Sequence, residues 1–244
     1  MRNYFIPTLL AFQTIIVYAQ KDVPVKDRLF QVSIAPALGT NGLHPSSFNN
    51  YFSINLSSGY SASNLLFELG VISNLNVNRT SGLQFAGIAN ITGGNSFGGL
   101  TKKEREEKIK NGFSPFLSGG QFSGLTNIVI GNVHGAQFTG GINLDKGALL
   151  GAQVSGIANI VYKYSFGVQL SGLFNISAVS FSGVQIGGLS NYTKGELAGV
   201  QISLLNQAGD IEGKNSVDNT QPTGFQIGLI NFSKKMNGFQ FGLI

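Results

Sequence analysis

Six glutamines, Gln121, Gln137, Gln153, Gln169, Gln185 and Gln201, stand 16 residues apart. The same phrase surrounds each: GGQFSGLTN, GAQFTGGIN, GAQVSGIAN, GVQLSGLFN, GVQIGGLSN and the shortened GVQISLLN. A fixed period held through six copies restricts the chain to a repeat architecture, in which each copy buries itself against its neighbours. Numbered from its Gly as position 1, the phrase has Gln at 3, a small residue at 5, Gly at 6 and Asn at 9. Apolar residues recur at 2, 4, 7, 10 and usually 15.

The array extends beyond this run. Gln84 opens GLQFAGIAN, and 16 residues earlier Glu68 takes the Gln place in FELGVISN, with Asn74 at the Asn place. From Gln84 to Gln121 the gap widens to 37 residues and takes in TKKEREEKIKNG, the most charged segment of the chain. From Gln201 to Gln226 it is 25, and the last gap, to Gln240, is 14. Both long gaps open after the Asn and close before the next Gly. Insertions at one point of a repeat map to one face, often the binding face. Residues 93–117 and 208–223 are therefore expected on one side, where they are the candidate contact with an envelope or surface partner. Upstream, Phe30, Val32 and Ile34 alternate, as do Phe52, Ile54 and Leu56, so residues 29–66 read as a β entry segment capping an array that runs over 67–244.

Parity decides between two all-β folds. Positions 2 and 4 share one strand face, and an apolar position 7 has the wrong parity for a single continuous strand. If the chain turns a corner at the Gly of position 6, the result is a β-solenoid with one coil per 16 residues, and parity favours this reading. Two short strands per coil are then expected to place Val168, Leu170, Leu173 and Ile176 inside, with Phe181 completing the core. Coils stacked at about 4.8 Å set identical residues above one another. Gln84, Gln121, Gln137, Gln153, Gln169, Gln185, Gln201, Gln226 and Gln240 become one amide ladder, and Asn90, Asn127, Asn143, Asn159, Asn175 and Asn191 a second. The alternative is an antiparallel outer-membrane barrel, a pore or anchor, with positions 2, 4 and 10 toward lipid and Gln toward the lumen.

The first 19 residues read as a secretory signal: Arg2, a mainly apolar run from Phe5 to Val17, and Ala19 before Gln20. Residues 20–28 form a polar tether. The chain has no Cys, so an exported fold gains nothing from disulfides and depends on burial and hydrogen bonding. Charged residues are only 11% of the chain and the net charge of +5 is dispersed, with no basic stripe for nucleic acid.

The phrases GVQLSGLFNIS, GVQIGGLSNYT and GFQIGLINFS resemble those of the bacterial surface repeat-containing proteins, signal-bearing envelope proteins built from GVQIGLxN-type units. The segments FQVSIAPALGTNG and FSINLSSGY are similar to what precedes such repeats, so the resemblance covers residues 29–244. It implies a Gram-negative envelope location, at the outer membrane or cell surface, and carries no site residues with it.

The residues offer little chemistry. His44 and His134 do not follow the period and have no paired ligand at metal spacing. Asp210, Glu212 and Asp218 read as a solvated acidic loop, and Glu104, Glu106 and Glu107 sit among Lys and Arg. No GxSxG turn and no phosphate loop occurs. No catalytic, cofactor or metal residues are assigned. The expected function is a non-enzymatic envelope or surface scaffold, with a polysaccharide-acting solenoid enzyme as a remote alternative. Association with the outer membrane fits this reading. Phe239, Phe241, Leu243 and Ile244 make no polar cap, so the C-terminal edge is expected to be covered by another copy, a partner or a membrane.

Overall fold

The structure, a computed structural model, describes residues 25–93, 116–209, 223–233 and 237–243. Among these, strands make up the regular structure apart from a 3-10 turn at Pro45–Ser47. Each repeat folds as one coil: a longer strand over positions 15 to 5, such as Ser165–Ser171, and a shorter one over positions 8 to 11, such as Phe174–Ser177. Successive coils pair in parallel and in register with the sequence period, Gln153 with Gln169 and Asn159 with Asn175. The fold is the corner reading of the periodicity: a β-solenoid, not the antiparallel barrel. The one antiparallel pairing among the described strands joins Lys26–Ala35 to Leu38–Gly39.

The stack begins before the clean repeats. Gln31 pairs with Ser53, Ser53 with Glu68 and Glu68 with Gln84, so the strands of the entry segment are coils of the same ladder. Insertions leave the register untouched: Gln84 pairs directly with Gln121, and Gln201 with Gln226. The strands before the two gaps end at Thr92 and Ala208, both at position 11, so the chain leaves the stack at one corner. Residues 94–115 and 210–222, most of both predicted loops, lie outside the described residues.

The interior is the reverse of the expected one. Gln169 and Asn175 are fully buried, while Val168 and Leu173 are each 37% exposed and Leu170 and Ile176 are half-buried. Of the five core residues expected in this coil, only Phe181 lies inside. Strand alternation explains the inversion: with Gln at 3 facing in, positions 2 and 4 must face out. On the shorter strand, Asn at 9 and residue 11 face in, and residues 8 and 10 face out. The buried apolar clusters come from positions 11 and 15, where Leu117, Val129, Val133, Leu149 and Val161 form one cluster and Phe181, Leu197 and Ala208 another.

Two glycines per coil permit this stacking. At position 1, Gly119, Gly135, Gly151, Gly167, Gly183 and Gly199 have φ between 127° and 150°, a region L side chains rarely adopt. A Cβ on Gly167 would also lie 2.0 Å from the carbonyl oxygen of Gly151 in the coil below. At the position 6 corner, a Cβ on Gly172 would lie 2.0 Å from the Gly156 carbonyl oxygen. The corner itself stays in the hydrogen-bond ladder, with Gly172 N donating to Ser155 O and Phe174 N to Ile157 O. Gly167→Ala should therefore lower the denaturant midpoint, at a cost of at least about 1–3 kcal/mol for the strained backbone position alone, with the clash on Gly151 O added to it. Ser182→Ala, on the outer surface one residue before Gly183, should leave it nearly unchanged.

Candidate functional site

Two amide ladders run through the interior. Gln169 Nε2 donates to Gln153 Oε1 at 2.8 Å, and Gln185 Nε2 to Gln169 Oε1 at 2.7 Å. The same bond links every predicted ladder glutamine from Gln84 to Gln240 to its predecessor, and each time the amide nitrogen donates to the preceding coil. All are buried except Gln240, which is exposed. The asparagine ladder runs the other way. Asn159 Nδ2 donates to Asn175 Oδ1 of the following coil at 2.9 Å, and also to Leu170 O at 2.7 Å. The second bond ties each Asn to the strand just before the next corner. This ladder also takes in Asn74, Asn206 and Asn231, which stand at the Asn place of their phrases, and Asn55 of the entry segment, which no repeat phrase marks.

Position 11, which the phrase does not single out, completes the glutamine network. Thr193 Oγ1 donates to Gln185 Oε1 at 3.1 Å and accepts from Gln201 Nε2 at 3.1 Å. Ser177 donates to Gln169 Oε1 at 3.2 Å, and Thr92 accepts from Gln121 at 3.0 Å. The signal was present in the sequence as parity: residue 11 shares a strand face with the buried Asn at 9.

Two acids lie inside this network. Glu68 occupies the Gln place and accepts three amide N–H groups, from Asn76 at 2.8 Å, Gln84 at 2.8 Å and Asn55 at 3.2 Å. Burial pushes its carboxyl up to about 7, and those donors oppose the rise. Asp145, at position 11, accepts from Gln153 at 2.8 Å through Oδ2, and its Oδ1 has no partner. Burial pushes its carboxyl well above the usual range, with the Gln137 amide opposing. His44 and His134 are exposed and far apart in the stack. Asp210, Glu212, Asp218, Glu104, Glu106 and Glu107 lie outside the described residues. No group of three or more metal-ligating side chains occurs among the described residues.

The polar interior leaves the apolar side chains outside. At position 4, Phe85, Phe122 and Phe138 stack coil on coil with centroids 4.7 and 5.0 Å apart. At position 2, Phe30 stacks on Phe52 and Phe225 on Phe239. The corner at position 7 displays Ile88, Leu125, Ile157, Leu173, Leu189, Leu204 and Leu229, 37% to 60% exposed. The opposite corner, positions 12 to 14, carries Arg79, Lys146, Lys163, Lys194 and Glu196, and Tyr162 and Tyr164 flank Lys163. In the last described coil Phe239, Phe241 and Leu243 are 72% to 83% exposed. No family model, curated protein or solved structure matches this chain.

Two outcomes follow from the ladders. Gln169→Leu strips Gln153 Oε1 and Gln185 Nε2 of their ladder partners. It should cost roughly 2–6 kcal/mol in urea unfolding, at about 1–3 kcal/mol for each of the two groups. Val168→Ala, on the outer surface, should cost less than about 1 kcal/mol. The buried acids set the pH dependence. Their carboxyls titrate higher in the folded than in the unfolded chain, so the folded state binds more protons and stability falls as pH rises. For Glu68 the loss runs from about 4.5 to about 7 and amounts to roughly 3 kcal/mol. The thermal midpoint should therefore drop between mildly acidic and mildly alkaline buffer, and Glu68→Gln with Asp145→Asn should flatten that slope.

Proposed function

We propose that the chain is a non-enzymatic scaffold of a bacterial cell envelope or surface, exported and held at the outer membrane or cell face. The observation that carries this reading is the division of labour within each coil. Interior amides, hydroxyls and acids are engaged mainly with one another, making a rigid stack, and the repeated outer surface is left to make contacts. Repeat stacks of this kind suit extended binding surfaces, because each added coil lengthens the same face. The apolar run Phe5–Val17 before Ala19 supports export, and the GVQIGLxN-type phrases support an envelope setting. Both insertions leave the stack at the corner of positions 12 to 14, which makes that corner the natural place for a partner to be engaged.

Expression of a C-terminally tagged chain in a Gram-negative host, followed by fractionation and mass determination of the N-terminus, tests this. The expected outcome is recovery with the envelope and a mature chain beginning at Gln20. Recovery of the intact 244-residue chain from the cytosol would overturn it.

A further inference from the structure

The outer surface of the coils is not merely apolar; its polarity is sorted by corner. Among the described residues from Gly70 onward, five charged side chains lie on the surface: Arg79, Lys146, Lys163 and Lys194, which are exposed, and Glu196, which is half-buried. All five lie at positions 12 to 14. Positions 2, 4, 7, 8 and 10 of the same coils carry no charged residue. Two sides and the corner between them therefore form one apolar wedge, and the described residues of the opposite corner form a rim of net charge +3. Tyr162 and Tyr164, 54% and 58% exposed, stand on that rim. Tyrosine and lysine concentrate where an apolar body meets a wet, anionic boundary.

We propose that the coils insert edge-on into one leaflet of a lipid bilayer, with the position 7 corner in the hydrocarbon and the rim of positions 12 to 14 among anionic headgroups. The dimensions agree. The four-residue shorter strand runs from one corner to the other and spans about 13 Å at roughly 3.3 Å per residue. Half of a hydrocarbon core of about 30 Å is about 15 Å. Nine ladder asparagines from Asn74 to Asn231 mark nine coils, a stack of roughly 43 Å at about 4.8 Å per coil. Each apolar side then offers on the order of 500 Å², and the two together exceed the largest patch of a typical soluble monomer. Backbone polarity is no obstacle along the sides, since the strands and the corner are paired coil to coil.

A second copy of the chain is the rival occupant. It would cover one flat side and leave the other side and the corner bare. Packed with their rims on the same edge, two stacks would also bring like charges together. A lipid leaflet covers both sides and the corner at once, and an anionic surface complements the rim. This inference rests on the scaffold reading in treating the outer surface as the working one, and adds the chemistry of its partner.

The chain has no Trp, so a single introduced Trp reports its own depth. Leu173→Trp and Leu189→Trp place the probe at the apolar corner, and Tyr164→Trp places it on the rim. Each full-length variant is mixed with vesicles of equal phosphatidylglycerol and phosphatidylcholine, with and without brominated acyl chains. Reading depth at the coils separates their insertion from any binding by residues 5–17. Trp at 173 and at 189 should shift to shorter wavelength and be quenched severalfold more by the brominated lipid than Trp at 164. Lys163→Glu with Lys194→Glu should weaken partitioning onto these vesicles by at least about tenfold. The inference is overturned if Trp at both 173 and 189 stays open to iodide and blind to brominated lipid. It is equally overturned if those probes become buried without lipid as the chain dimerises in sedimentation, which identifies a second copy as the occupant. In either case, recovery of the tagged chain with the envelope leaves the scaffold reading standing, whereas cytosolic recovery removes that reading whatever the vesicles show.

Discussion

Everything in this fold depends on primary amides that can be buried because an identical amide lies one coil away. A lone buried Gln would cost several kcal/mol in unmet hydrogen bonds. In the stack, Gln169 donates a hydrogen bond to Gln153 and accepts one from Gln185, so the cost is met by the repeat itself. The glutamine ladder donates toward preceding coils and the asparagine ladder toward following ones. Their dipoles therefore run in opposition along the stack. Position 11 hydroxyls join the glutamine column from the side, which makes the interior a connected polar network rather than two isolated rows.

A polar interior has a price on the outside. The chain is 42% hydrophobic, and among the described coils, with the inward positions given largely to amides, small residues and hydroxyls, most large apolar side chains face outward. The result combines the backbone of the solenoid with the side-chain polarity expected of the barrel: Gln within, Val, Leu, Ile and Phe without. What limits the exposure is order. Aromatic residues stack along the axis, as Phe85, Phe122 and Phe138 do, and charge is gathered on one corner. The two buried acids are the places where the network departs from amides. Glu68 takes only donors, consistent with a position where the glutamine column meets the differently built coils of the entry segment.

Period, register and the identity of the ladders were legible in the residues. Gln at 3 and Asn at 9 recur with the coil, and insertions announced themselves as gaps of 37 and 25 without disturbing the pairing that followed. Gly at 6 was legible as the corner, but the role of Gly at 1 was not: positive φ belongs to position 1, and what position 6 requires is room for the neighbouring coil. Less visible were Asn55, which lies outside the repeat phrases, and the hydroxyls at position 11, which do not repeat as one invariant residue.

The sequence by itself determined a 16-residue coil, a corner at position 6 and the set of residues sharing each strand face. Only the tertiary structure decided which face is inside. Alternation separates Val168 and Leu170 from Gln169, but it is symmetric, and hydropathy taken residue by residue assigns the apolar side to the core. The choice goes the other way because the energy of a buried amide belongs to the stack and not to the residue. It becomes favourable only when a second amide stands about 4.8 Å above it. That distance exists in the assembled coils and nowhere in the linear chain.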